Sequence, residues 1–179
     1  MVMSLIQKRR SIRKFKTNPV EPEKVDMMVE AALRAPSSRG LQPWELVVVT
    51  EQDLLEKLSR AKPHGSAFLA NAPLGIVICA DPDKSDVWIE DSSIAAIFVQ
   101  LAAESLGLGS CWIQIRERMH ENSETSEEYI FRVMRIPRKL RVEAMIAIGY
   151  PDEKKPPHEK EELHVDRVYL NRYGKAYES

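Results

Sequence analysis

The stretch Ile94 to Ala103 constrains this chain more than any other, because it lies inside a helical pattern running from Asp86 to Leu106 and is apolar on nearly every side. A helix of that kind must be covered all round, so it belongs either at the centre of a domain or in a seam between two copies of the chain. Gln100 breaks the run and Glu104 closes it, well short of the ~20 apolar residues that span a bilayer. Met1 to Ile6 is too short and too polar-flanked for the apolar core of an export signal. A cytoplasmic protein is the default reading.

The other elements are shorter. Ser4 to Arg9 predicts a short helix, and Val25, Met28, Val29, Ala32 and Leu33 recur at three and four, which predicts an amphipathic helix over Glu23 to Arg34 stopped by Pro36. Leu46 to Thr50 reads as a buried strand, followed by a short helix over Glu51 to Arg60. Further strands are expected at Gly75 to Ala80, Ser110 to Ile115 and Met145 to Tyr150. Thr125 and Glu128 have capping-box spacing, which starts a helix that Pro137 closes. Strand and helix alternate without hairpin signals, so the pattern by itself predicts a mixed α/β domain. At 179 residues the chain suits a single domain, and it carries no internal repeat.

Charge is concentrated at one place. Arg9-Arg10-Ser11-Ile12-Arg13-Lys14-Phe15 puts three guanidiniums, a hydroxyl and an ammonium into seven residues. Such a run is either a solvated polyanion-binding arm or the cradle of a compact anion such as a terminal phosphate, which Arg forks and a Ser hydroxyl match well. The net charge of the whole chain is -1, without the positive excess of a nucleic-acid binder. A small anionic ligand suits that balance better. Cys79 and Cys111 sit in apolar runs and form no CxxC, so they read as buried free thiols.

Several chemistries find no support. Gly107-Leu108-Gly109 follows a helix and precedes a strand, the reverse of a dinucleotide fingerprint, and GxxxxGK[ST], HExxH and GxSxG are all absent. With neither a metal site nor a nucleophile proposed by the residues, attention turns to a cofactor that brings its own reactivity. A second informative stretch is Ala35-Pro36-Ser37-Ser38-Arg39-Gly40-Leu41-Gln42-Pro43-Trp44, a shaped loop with hydroxyls, an amide and an indole.

The basic stretch and this loop, one helix apart, resemble the FMN-dependent nitroreductase family. Leu106-Gly-Leu-Gly-Ser-Cys-Trp-Ile113 and Ile146-Ala-Ile-Gly-Tyr-Pro151 are similar to that family's third and fourth landmarks, in the same order. The resemblance implies an α+β fold with a central, mainly antiparallel sheet flanked by helices, in an intertwined homodimer with FMN at the interface. The likeness runs from about Ser4 to Pro151, giving a flavin-binding core over 1–151; beyond it Val168, Tyr169, Leu170, Tyr173 and Tyr177 form an aromatic tail with no obvious place in the chain's own core, so the extension over 152–179 is expected to pack on the partner subunit.

Carried over by position, Arg9, Arg10, Ser11 and Arg13 would hold the FMN phosphate and adjoining flavin oxygens. Pro36, Ser37 and Ser38 would reach the flavin from the other subunit, and Gln42 of the same loop is counted with the cofactor-binding residues. Trp112, Ile113 and Gln114 would run along the isoalloxazine, and Lys160, or in second place His158, would add a basic group for the phosphate. The implied activity passes hydride from NADH or NADPH through FMN to a small acceptor such as a nitroaromatic or quinone, by ping-pong kinetics. The alternatives are a specialised flavin dehalogenase or dehydrogenase on the same fold, and a non-catalytic flavin-binding protein. Two departures stand out: Gly40 replaces the family's usual Asn, and Gln114 and Ile115 replace small residues.

Overall fold

A computed structural model of the chain describes residues 2–121 and 123–177. The short helix α1 (Val2–Lys8) leads through the basic stretch to α2 (Pro22–Leu33), which has Pro22 at its first turn, where a missing N–H costs nothing. The chain then forms β1 (Trp44–Val49), α3 (Gln52–Ser59), β2 (Leu74–Ala80) and the long α4 (Trp88–Ser105). It finishes with β3 (Gly109–Gln114), α5 (Ser126–Met134) and β4 (Arg141–Gly149). The ordering β1-β2-β4-β3 is antiparallel at every pairing. Strand–helix alternation by itself predicted a mixed α/β domain. The antiparallel sheet is instead the α+β arrangement implied by the resemblance.

Helices cover both faces of the sheet. On one face α2 and α4 pack through Met28, Ala32, Ala95, Val99 and Ala103 onto Leu74, Ile76, Ile78, Ile146 and Ile148. On the other, α3 and α5 bring Leu55, Leu58, Ile130 and Phe131 onto Val77, Ile113, Val142 and Met145. Strands β2 and β4 are buried on both sides, which is why their sequences are almost continuously apolar.

Two expectations are corrected. Leu46 to Thr50 is not a buried strand: β1 is an edge strand in which Glu45 and Val48 are exposed, and Thr50 lies beyond its end. A β-branched run packs equally well on a half-covered surface, so its composition does not distinguish edge from centre. The last strand starts at Arg141 rather than Met145, because a bulge at Glu143 between the Ile78 and Cys79 pairings lets the polar residues join the ladder. The helix containing Ile94 to Ala103 is covered on its sheet side, while Ile94 and Ile97 stay exposed in the single chain. From Pro156 to Tyr177 every residue is exposed. The 152–179 extension is thus described as far as Tyr177, with Glu178 and Ser179, like Met1 and Asn122 of the core range, outside the described residues.

Candidate functional site

The basic stretch is bolted to the start of β3. Ile12 N–H donates to Ser110 O at 3.0 Å, Ser11 and Ser110 form a parallel bridge, and Phe15 pairs with Pro151. Ile12 fits where a glycine leaves room, since a Cβ on Gly109 would stand 2.8 Å from Ile12. Glu153, just past β4, accepts Arg13 N–H at 2.6 Å and Lys14 N–H at 3.2 Å and pairs with Lys155 at 3.3 Å. These contacts, the Arg13 N–H foremost, hold its carboxyl below the usual range.

Arg9, Ser11 and Arg13 share one side with Lys155, whose ammonium donates to Ser11 O. All four act on the buried Cys111 thiol: burial raises its pKa, and Arg13, Ser11, Lys155 and Arg9 pull against that rise. Among the described residues neither Arg9 nor Arg13 pairs with a carboxylate; Arg13 instead lies 5.7 Å over the Phe68 ring. Arg10 turns the other way, onto Pro156 O and toward Glu162. Lys160 is exposed in a short turn, and His158 binds Glu162 at 3.0 Å. Lys155 is the basic residue from beyond β4 that joins the cluster.

The outer edge of β3 is open beyond Ser110. Because Ser110 faces that edge, the period of two turns the backbone N–H groups of Trp112 and Gln114 outward and engages Ile113 with β4. Trp112 Nε1 donates to Gln114 Oε1 at 2.9 Å and Gln114 Nε2 to Arg116 O at 3.2 Å, so both side chains are fixed beside the edge. Ile113 is fully buried.

The loop Pro36 to Gln42 lies elsewhere. Ser37 Oγ accepts Gln42 N–H at 2.9 Å, Ser38 N–H donates to the buried Asp91 at 2.8 Å, and Gln42 Nε2 reaches Leu33 O at 3.3 Å. Gly40 has φ +68, a left-handed value that Gly adopts without strain. Asp91, which holds Ser38, and Glu104, which shares a groove with Arg10, are thirteen residues apart on α4. At about 1.5 Å per residue that separates the loop from the basic stretch by roughly 20 Å. One chain therefore brings Arg9, Ser11 and Arg13 to the β3 edge but leaves Pro36, Ser37, Ser38 and Gln42 at the far end of α4.

An antiparallel sheet in three layers, with a cationic cradle beside an open strand edge, defines a domain that presents a flat ligand strip next to an anion site. The chain belongs to the Nitroreductase family, whose model matches residues 6–65 and 59–150. It is similar to the solved FMN-dependent nitroreductase from Clostridium difficile, with 48% identity, a TM-score of 0.94, and 96% of this chain and 99% of that one covered. An Archaeoglobus fulgidus protein named as an NADH dehydrogenase/NAD(P)H nitroreductase is 32% identical over 96% of this chain and 98% of its own length. The Vibrio harveyi NADPH:FMN oxidoreductase, solved with NAD+, shares 26% identity at a TM-score of 0.81, covering 97% of this chain and 78% of that one. No helix among the described residues is long and apolar enough to cross a membrane.

Proposed function

We propose that this protein is an FMN-dependent oxidoreductase that takes hydride from NADH or NADPH and delivers it to a small acceptor such as a nitroaromatic or quinone. The observation that carries the reading is the gathering of Arg9, Ser11, Arg13 and Lys155 at the start of β3, with two guanidiniums that form no salt bridge among the described residues, Glu104 lying within electrostatic reach of Arg9. That donor set fits a phosphate monoester, and the open β3 edge beside it fits a planar heterocycle with acceptor atoms along one side. Bound FMN supplies two-electron chemistry that the side chains lack. Arg9 and Arg13 bind the phosphate, Ser11 and Lys155 complete the cradle, and the Trp112 and Gln114 N–H groups orient the ring. One pocket serving donor and acceptor in turn gives ping-pong kinetics.

The active unit is a homodimer. The Pro36 to Gln42 loop stands too far from the cradle to serve the same ligand in one chain, so the partner's copy of the loop completes each site. Exposed Ile94 and Ile97 on α4 and the exposed aromatic residues Tyr169, Tyr173 and Tyr177 supply apolar surface for that association. Absorbance spectroscopy tests the reading. Purified protein carries or takes up about one FMN per chain, and NADH or NADPH bleaches it without oxygen. A protein that takes up no FMN on titration overturns the proposal, and a fully flavinated species that light scattering finds strictly monomeric overturns the two-chain site.

A further inference from the structure

Between α3, α5 and the segment after β3 lies a second cleft of about 430 Å³, lined by Arg60, Lys62, His120, Glu121 and Tyr129. Its cations are crowded together. The Lys62 ammonium is lowered from its ordinary pKa first by burial and then by the neighbouring Arg118 charge, and it lies within electrostatic reach of Cys111 on β3. Among the described residues none of Arg60, Lys62 and Arg118 pairs with a carboxylate. Glu121 lines the cleft but pairs with none of them, and Glu124, 3.9 Å from His120 Nε2, is engaged by Arg132 at 3.0 Å.

The back of the cleft is built rather than incidental. The His120 ring stacks on Tyr129 with centroids 4.1 Å apart, and Tyr129 is held by donation to Lys57 O at 2.9 Å. His120 Nδ1 is buried without a hydrogen-bond partner among the described residues. Of the three cations only Lys62 is partly buried, and its ammonium is the one that gains most from an anion in the cleft.

We infer that this cleft is an anion site that holds the phosphate or carboxylate of a substrate lying against the β3 edge. It is separate from the Arg9–Arg13 cradle, although both reach Cys111, one through Lys62 and one through Arg13. Lys62 and Arg60 supply charge to the oxyanion, and the His120 ring stands in the wall beside it. The substrate part of this assignment rests on the oxidoreductase reading; the anion site does not.

Two measurements separate those claims. In the first, inorganic phosphate is titrated into the purified protein at constant ionic strength while NMR follows the His120 ring. The expected result is a saturable shift that Lys62→Ala and Arg60→Ala each weaken by about tenfold, the worth of one charge-assisted contact. No shift, or the same shift in both variants, overturns the site, and does so whether or not the protein binds FMN. In the second, kcat/KM is compared for nitrobenzoate and nitrobenzene as acceptors and for NADH and NADPH as donors. A drop of about tenfold in the nitrobenzoate-to-nitrobenzene ratio in Lys62→Ala, restored by Lys62→Arg, assigns the anion to an acceptor carboxylate. A matching rise in KM for both nucleotides assigns it to a donor phosphate. If neither changes in an enzyme that turns over, the cleft has no substrate role and that part of the inference falls.

Discussion

The basic stretch and the Pro36 to Gln42 loop are both polar, both irregular and both near the N-terminus, yet the structure uses them in opposite ways. In the first, backbone atoms do the holding: Ile12 N–H, Lys16 N–H and the Arg13 and Lys14 N–H groups are engaged by Ser110 of β3, Tyr150 just past β4, and Glu153. The Arg9 and Arg13 side chains are left free to meet a ligand. In the second, the polar atoms are engaged within the protein, Ser37 Oγ by Gln42, Ser38 N–H by Asp91, and Arg39 by Asp86. Such a loop offers a fixed shape more than a set of donors. Free charge in one stretch and none in the other is the division of labour that the proposed two-chain site needs.

The sharpest way to break that comparison is to remove the free charge. Replacing both Arg9 and Arg13 by Ala removes two charge-assisted contacts, each worth about 1.5–3 kcal/mol, and should weaken FMN retention by about a hundredfold or more. The Lys14→Ala, Lys16→Ala pair should change it by less than about threefold, because exposed charges outside the cradle act only through the general field. Equal losses in flavin titrations of the two proteins would return the stretch to a diffuse basic patch.

Next in size is the anchor of the second stretch. Asp91 is 2% exposed and accepts from both Ser38 N–H and Ser85 Oγ, at 2.8 and 3.0 Å. Asp91→Ala leaves both donors unpaired and should cost about 2–3 kcal/mol, read as a lower urea midpoint. Flavin affinity should fall with it in the dimer, whereas a loop that matters only to its own chain would lose stability without losing flavin.

Lys155 and Lys160 provide a third, smaller test. Lys155→Ala should weaken flavin binding by about tenfold and Lys160→Ala by less than about twofold, since only Lys155 sits against Ser11. The reverse order would mean that the tail rearranges on the partner to bring Lys160 in.

The smallest effect concerns Glu153. Its carboxyl is held below the ordinary value of 4.5, first by the Arg13 N–H, so its contribution to folding is present above that pH and fades as acid protonates the folded state. Glu153→Gln should therefore unfold at lower denaturant than the parent at pH 7, with the gap closing as pH falls below about 4.5. A gap that persists in acid would point to packing instead of the charge.

Much of this architecture was legible in residue order. Apolar periodicity marked α2, Pro36 stopped it, and the Thr125 and Glu128 spacing produced a capping box with Thr125 N–H on the Glu128 carboxylate at 2.9 Å. Edge and centre were not legible, because Val47 to Val49 and Ile76 to Ile78 are both wholly β-branched and differ chiefly in what packs on them. Lys155 and Glu153 also escaped notice. The signal was present in outline: β4 runs antiparallel to β3, so residues leaving β4 emerge beside the start of β3 and the basic stretch.

By itself, then, the sequence determined which segments are helix or strand, where charge is concentrated and which loop is shaped, since these depend on neighbours a few residues away. Only the tertiary structure decided which cations share a side. The bridge of Ser11 to Ser110 brings Arg9 and Arg13 to the Cys111 side, while Arg10 turns away onto Pro156 O. It also set the roughly 20 Å length of α4 between cradle and loop. Those relations depend on strand order and register, which join residues more than a hundred positions apart in the chain, such as Ser11 and Lys155.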